Sequence, residues 1–453
     1  MDDAIDAPGS LPALALASLL AGAAAGLLAA LFRLALDRAD EFRDRLIGRA
    51  HALPVLGFLL VLAAGAAAVA AAAWLVRRLS PEASGSGIPQ VEAALAGDLP
   101  PARPRLILVK FLGGWLAIGA GLALGREGPS VQMGAVIAHH TGKAFGRSRL
   151  DCRVLLAAGA GAGLAVAFNA PIAGAVFVLE ELVRRFDTRI AIAALGASAS
   201  AILVSRLLLG NAPDFAVAIA AGASAATGPL PYAAAAVWPL YCALGGLAGL
   251  AAAAYCRALL GAVALAERLR RWPVELQAGL IGAAVATLAW FAPDLVGGGD
   301  AITQRLLSKG AGLALLPLAF LLRFGLGALS YAARTPGGLF APMLVLGAQL
   351  GLCTGLLLRS ALPYLGIDPE AFAVVGMAAF FAGVVQAPVT GIVLVTEMTA
   401  AFATLLPMLA ACFSAMLAAN LVDSPPIYDS LLRRIVAQAG PEAETRGERH
   451  ERL

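Results

Sequence analysis

Glu127 lies in the motif GREGP (Gly125, Arg126, Glu127, Gly128, Pro129), after a long apolar run and just before a proline that fits the first turn of a helix. A carboxylate at a helix N-terminus inside a membrane occupies the position an anion would take there. If it competes with an anion and a proton can neutralise it, it is a gate. The plainer account makes Glu127 and Arg126 an interfacial ion pair. A second motif, GSGIP (Gly85, Ser86, Gly87, Ile88, Pro89), is a loop of small residues opening a helix. Its glycines let backbone amides come close to a ligand, and Ser86 adds a hydroxyl donor, so the loop suits an anion. The plainer account is a flexible turn with serine as N-cap. A third motif, GGLFAP, runs from Gly337 and Gly338 to Pro342 and offers the amides of Leu339 and Phe340. Alone it reads as packing.

Glu180 and Glu181 end an apolar stretch. Arg184 and Arg185 lie four residues further on, so a salt-bridged helix end competes with a functional role. Tyr428, in PPIYDS, follows the last apolar run, where an interfacial tyrosine is common. Other chemistries lack their residues. His139 and His140 are adjacent without HExxH spacing, and there is no GxxxxGKS or GxSxG motif. The five cysteines are scattered without CxxC spacing, which argues against a zinc site or a disulfide framework. No solvated face interleaves basic and aromatic residues, so nucleic acid is not an expected partner. No metal or cofactor is expected, and neither is an enzyme.

These residues have to be positioned by membrane-spanning elements. Of the 453 residues, 60% are hydrophobic and only 14% charged, with a net charge of +4 and a mean hydropathy of +0.83. A bilayer stabilises such a composition, because spanning helices satisfy their own backbone. Apolar runs predict spans over residues 12–36, 53–77, 106–124, 190–209, 232–262, 274–292, 311–328 and 402–422. Shorter runs broken by Gly and Pro, at 127–140, 154–168, 170–182, 339–360, 372–386 and 388–398, predict half-helices that stop inside the membrane, the usual mark of a transport site. The N-terminus is acidic and lacks the basic region of a signal peptide, so the first run reads as a span. Residues 1–11 are expected to be an N-terminal cytoplasmic segment, 12–437 one transmembrane domain, and 438–453 a short charged tail.

The domain carries an internal repeat. GREGPSVQMG aligns with GLFAPMLVLG at an offset of 213 (342 minus 129), NAPIAG with QAPVTG at 217 (388 minus 171), and GSGIP with GGGDA at 212 (297 minus 85). Two halves follow, about 12–210 and 232–437. The repeat alone does not distinguish parallel from inverted halves. It does sort the acids. Glu180 matches Glu397, which suggests a structural purpose common to both halves, whereas Glu181 matches Met398 and Glu127 matches Phe340.

Taken in order, GSGIP, GREGP, FNAPIAG with its two glutamates, GGLFAP and a final tyrosine resemble the CLC chloride channels and transporters, over about residues 15–435. The resemblance implies an all-α fold of two inverted halves and a homodimer with one ion path per subunit. It implies that Ser86 and Tyr428 bind chloride through their hydroxyls, and that Gly87, Ile88, Leu339 and Phe340 contribute to the same site. Glu127 resembles the external gating glutamate, and Glu181 the internal proton-transfer glutamate of the antiporters. Glu92 and Lys110 resemble a buried charged pair near the site. Serine rather than proline at position 86 resembles members that prefer chloride to nitrate. Gln90 stands where glutamate is common. The family thus implies chloride/proton exchange, with a passive voltage- or pH-gated chloride channel of the same fold as the alternative. No nucleotide-binding domain pair follows the last span, which with the arginine-rich usage suggests a multi-pass protein of a bacterial inner membrane.

Overall fold

The computed structural model describes residues 9–211, 214, 215, 217, 232–269, 271–308 and 315–439. Most of the expected N-terminal segment, and the charged tail beyond 439, lie outside them. The first half comprises α1 (Leu11–Ala50), α2 (Pro54–Leu79), α3 (Ile88–Ala96), α4 (Arg105–Gly119), α5 (Glu127–Ala144), α6 (Arg149–Ala167), α7 (Pro171–Phe177, continued by a π-helical turn, Val178–Leu182) and α8 (Thr188–Leu209). The second comprises α9 (Tyr232–Arg268), α10 (Val274–Phe291), α11 (Asp300–Leu307), α12 (Leu316–Tyr331), α13 (Phe340–Ala361), α14 (Pro369–Val385), α15 (Pro388–Thr399) and α16 (Leu405–Leu421). A last helix, α17 (Ile427–Ala439), follows. Among the described residues, eight helices are long and apolar enough to cross a membrane. The protein is a multi-pass membrane protein. With 40 residues, α1 is about 60 Å long, twice the thickness of a bilayer's hydrocarbon core, so it spans at a tilt and projects beyond it.

Helix matches helix between the halves, α1 with α9 through α8 with α16, and the packing repeats as well. Where α5 crosses α6, a Cβ on Gly134 would lie 2.3 Å from the carbonyl oxygen of Gly159. Where α13 crosses α14, a Cβ on Gly347 would lie 2.4 Å from that of Gly376. Small residues let the backbones touch, which is how helices associate in lipid without a hydrophobic driving force. The central helix α14 is buried along its whole length.

Two sets of contacts between equivalent residues are reciprocal, which places a pseudo-two-fold axis between inverted halves, and a third set is repeated within each half. Gly125 and Gly338 exchange amide-to-carbonyl bonds of 2.9 and 2.7 Å in an antiparallel bridge. The Glu397 carboxylate accepts from the amides of Ile172 (3.2 Å) and Ala173 (2.8 Å) at the start of α7. Glu180 does the same for Val389 (3.0 Å) and Thr390 (2.6 Å) at the start of α15, and also accepts from the Thr390 hydroxyl. Each acid caps the opposite half's helix, the shared structural purpose expected of this pair. In the third set a buried cation gathers the carbonyls of a loop. Lys110 Nζ donates to Ala83 (3.0 Å) and Gly85 (2.8 Å), and Arg323, 213 residues later, donates to Leu295, Gly297 and Gly298.

Several spans differ from expectation. The run 106–124 forms a helix of only 15 residues, Arg105–Gly119, because the chain turns at Gly121, where φ is 100°; the run 311–328, described from residue 315 on, forms Leu316–Tyr331 and so continues past its expected end at 328. Conversely, 154–168 and 339–360 are parts of unbroken helices, Arg149–Ala167 and Phe340–Ala361. The α6 glycines serve close helix crossing, and Pro342 sits in the first turn of α13, where it breaks nothing.

The capping contacts generate a prediction. Glu397→Ala leaves the two α7 amides without an acceptor and should lower stability by about 1–2 kcal/mol, the usual worth of a lost helix cap. Glu180→Ala should cost at least as much. Thermal unfolding midpoints in detergent check both, and an unchanged midpoint for either variant contradicts the capping role.

Candidate functional site

Three loops meet at the pseudo-two-fold axis and are stitched together through their backbones. The Gly85 amide donates to Thr335 O (3.1 Å) and the Gly337 amide to Gly85 O (3.1 Å), next to the Gly125–Gly338 exchange. This brings together the N-termini of α3, α5 and α13. Tyr428, in the first turn of α17, is fully buried against the Phe340 ring, with centroids 5.9 Å apart. Phe168, Phe177 and Phe381 pack around the same ring at 4.7–6.1 Å.

Glu127 has no exposed surface. Its Oε1 accepts the Phe340 amide at 2.7 Å, so the carboxylate of one half sits on the helix N-terminus of the other. Oε2 is buried without a partner. The hydroxyls of Ser86 and Tyr428 face one another, yet both oxygens are buried without a hydrogen bond of proper geometry. The α3 N-cap is Gly87, in a left-handed conformation, and no side chain caps that helix. Ser86 is therefore not the capping serine of the plainer reading, and its hydroxyl stays available. Gly87, Ile88, Leu339 and Phe340 lie in the same meeting point of loops and helix starts.

Arg126 does not pair with Glu127. It donates to Ala167 O (2.8 Å) and pairs with Asp300 (2.8 Å) and Asp214 (3.3 Å). That removes the interfacial ion pair as an account of Glu127 and fixes the residue before it from three sides. Glu92 and Lys110 do not form the charged pair that the resemblance implied. Lys110 is committed to the loop carbonyls, which need donors in a buried site, and Glu92 instead faces Glu181 and Arg184. The signal for Lys110 was in the repeat, since its partner position, Arg323, is also a cation. The Arg126 partners Asp214 and Asp300 carried no such signal.

Glu180 and Glu181 separate cleanly. Glu180 is the helix cap described above. Glu181 is 4% exposed, has one oxygen without a hydrogen-bond partner, and lines a cavity of about 420 Å³ together with Glu92 and Arg184. The Tyr428 hydroxyl lies within electrostatic reach of both Glu127 and Glu181. Chemically, the site offers helix-end amides and two unpaired hydroxyls for an anion, a carboxylate seated among them, and a second buried carboxylate on a separate cavity.

The family profile described as "Voltage gated chloride channel" matches residues 66–420. The H(+)/Cl(-) exchange transporter ClcA of Vibrio cholerae serotype O1 is 37% identical over 427 residues, covering 92% of this chain and 88% of that protein. The transporter of the same name from Cronobacter sakazakii is 35% identical over 438 residues, covering 95% and 91%. Among solved structures, a slow cyanobacterial Cl−/H+ antiporter superposes with a TM-score of 0.87 at 31% identity, over 95% of this chain and 99% of that one.

The glycines around Glu127 give a contrast that can be measured. The three atoms nearest a Cβ on Gly125 all belong to the Glu127 carboxylate, at 1.9–2.5 Å, and a side-chain end can swing away. A Cβ on Gly338 would meet that carboxylate at 2.1 Å and also the Gly128 amide nitrogen at 2.7 Å, which cannot. Gly125→Ala should therefore fold at a cost below about 1 kcal/mol with Glu127 displaced, and Gly338→Ala should cost more than about 2 kcal/mol. Thermal unfolding ranks the two, and a structure of Gly125→Ala shows whether the carboxylate has left the Phe340 amide.

Proposed function

The chain belongs to the voltage-gated chloride channel family, and from that premise we propose that it moves chloride across the membrane in exchange for protons, with Glu127 as the outer gate and Glu181 as the inner proton station. The observation that carries this reading is the Glu127 carboxylate on the Phe340 amide. A carboxylate there is a tethered stand-in for the transported anion.

Protonation drives the exchange. As an anion, Glu127 accepts a charge-assisted bond from a helix-end amide, worth about 1.5–3 kcal/mol, and gains from the dipole of α13. Adding a proton forfeits most of that, which shifts occupancy roughly ten- to hundredfold toward a competing chloride. Chloride then takes the amides of Leu339 and Phe340, with the Ser86 and Tyr428 hydroxyls donating to it. Gly87 and Ile88, at the start of α3, complete the surroundings, and Lys110 and Arg126 hold the loops rather than touch the ion. When chloride leaves and Glu127 gives up its proton, the carboxylate closes the path again.

Protons need titratable stations because a bare charge in hydrocarbon is costly. Glu181 is buried, is not committed to capping, and opens on a cavity, which supports that role. The same reading makes the working unit a homodimer with one ion path per subunit, in the inner membrane of a bacterium. The passive channel remains the second reading, and the buried Glu181 weighs against it.

Two variants test the assignment in liposomes. Glu127→Gln mimics the protonated gate, so chloride flux should persist while chloride no longer drives protons uphill. Glu181→Gln should stop chloride-driven proton movement while chloride still runs down its gradient, whereas Glu180→Gln should leave coupling intact. Proton pumping by either Glu127→Gln or Glu181→Gln removes that residue from its role. Chloride flux without any proton movement in the wild type selects the channel.

A further inference from the structure

Arg184 is a cation shared by three acids. Its backbone is left-handed, with φ at 54°, uncommon for a residue with a Cβ. That conformation turns the guanidinium back over the π-helical turn. Nε donates to the Glu181 carbonyl at 3.2 Å, and the outer nitrogen pairs with Asp429 on α17. The same nitrogen lies 3.8 Å from the Glu181 carboxylate and 3.9 Å from that of Glu92. Those distances give attraction without a hydrogen bond, and Glu181 Oε1 and both Glu92 oxygens are buried without a partner.

Most of the other charges around Glu181 are committed. Glu180 caps α15. Arg153 donates to Leu95 O, and Arg189 is held by Asp151 and Gly9 O. Asp187 caps α8, and Arg185 lines the cavity without an ion pair to either buried acid among the described residues. Acids from α3, the end of α7 and α17 thus converge on one guanidinium. Asp429 directly follows Tyr428, so this ion pair ties the counter-charge of the inner acid to the helix turn that carries the buried tyrosine.

We propose that Arg184 is a positioning residue that divides its charge between Asp429 and the Glu181–Glu92 pair, so that the charge on Glu181 sets how firmly the first turn of α17 is latched. This rests on the exchange reading, in which Glu181 carries protons and Tyr428 holds the anion. With Glu181 neutral, Arg184 bonds Asp429 and holds Tyr428 in place. When Glu181 loses its proton, a second full negative charge stands under 4 Å from the guanidinium, and the hold on Asp429 weakens. Arginine stays charged throughout, so the latch moves no proton of its own.

The test is chloride-driven proton flux in liposomes as a function of pH on the Glu181 side. Arg184→Gln removes the counter-charge that favours ionised Glu181, so the half-maximal pH should rise by about half a unit or more, a modest shift because Arg184 is half exposed. Asp429→Asn leaves Arg184 to the two buried acids, so the midpoint should fall. Arg184→Lys keeps the charge and should stay near the wild-type midpoint. Opposite shifts support the shared cation. Equal shifts, no shifts, or a lysine variant that behaves like glutamine overturn it while wild-type coupling stands. A wild type without chloride-driven proton flux overturns the exchange reading and this proposal with it.

Discussion

The amide of Phe340 is buried, and something bearing negative charge has to meet it. An unpaired backbone donor in such a place is expensive, and a helix N-terminus adds partial positive charge to it. Glu127 answers at 2.7 Å. Everything nearby serves that arrangement: glycines at 125 and 338 leave room for the carboxylate, and Arg126 is pinned by Asp214 and Asp300 so that it does not compete for it. Because the acceptor is a tethered side chain, it can leave and return without diffusing away.

The pseudo-two-fold scaffold sets where symmetry must stop. Contacts that bear load are duplicated: Lys110 and Arg323 gather loop carbonyls, and Glu180 and Glu397 cap helices. The chemistry is single. Glu127 faces Phe340, its own repeat partner, and Glu181 stands where the other half has Met398. A symmetric pair of carboxylates at the axis would repel each other, so only one half can place an ionised acid there.

How much of this could be read from the sequence depended on how locally each feature is encoded. The capping role of Glu180 was legible because capping is a two-fold job that leaves a matched residue at 397. The meeting of GREGP with GGLFAP followed from the same offset. Lys110 was misassigned because the resemblance offered it an acid, whereas the loop carbonyls at 83 and 85 needed a donor. Helix lengths went astray where glycine has two uses, ending α4 at a turn but allowing α6 to cross α5 unbroken. The Arg184–Asp429 pair joins residues 245 apart, and no local pattern announces such a contact.

The crossed caps also bear on how the chain comes into being. The amides of Ile172 and Ala173 wait for Glu397, which is made 224 residues after Ala173 (397 minus 173). At a synthesis rate of about 5–20 residues per second, that is a delay on the order of 10–45 s. During it the first half sits in the membrane with the start of α7 uncapped. Its biogenesis therefore cannot finish half by half, and a truncated product that ends between the repeats leaves these helix-end amides without their acceptor.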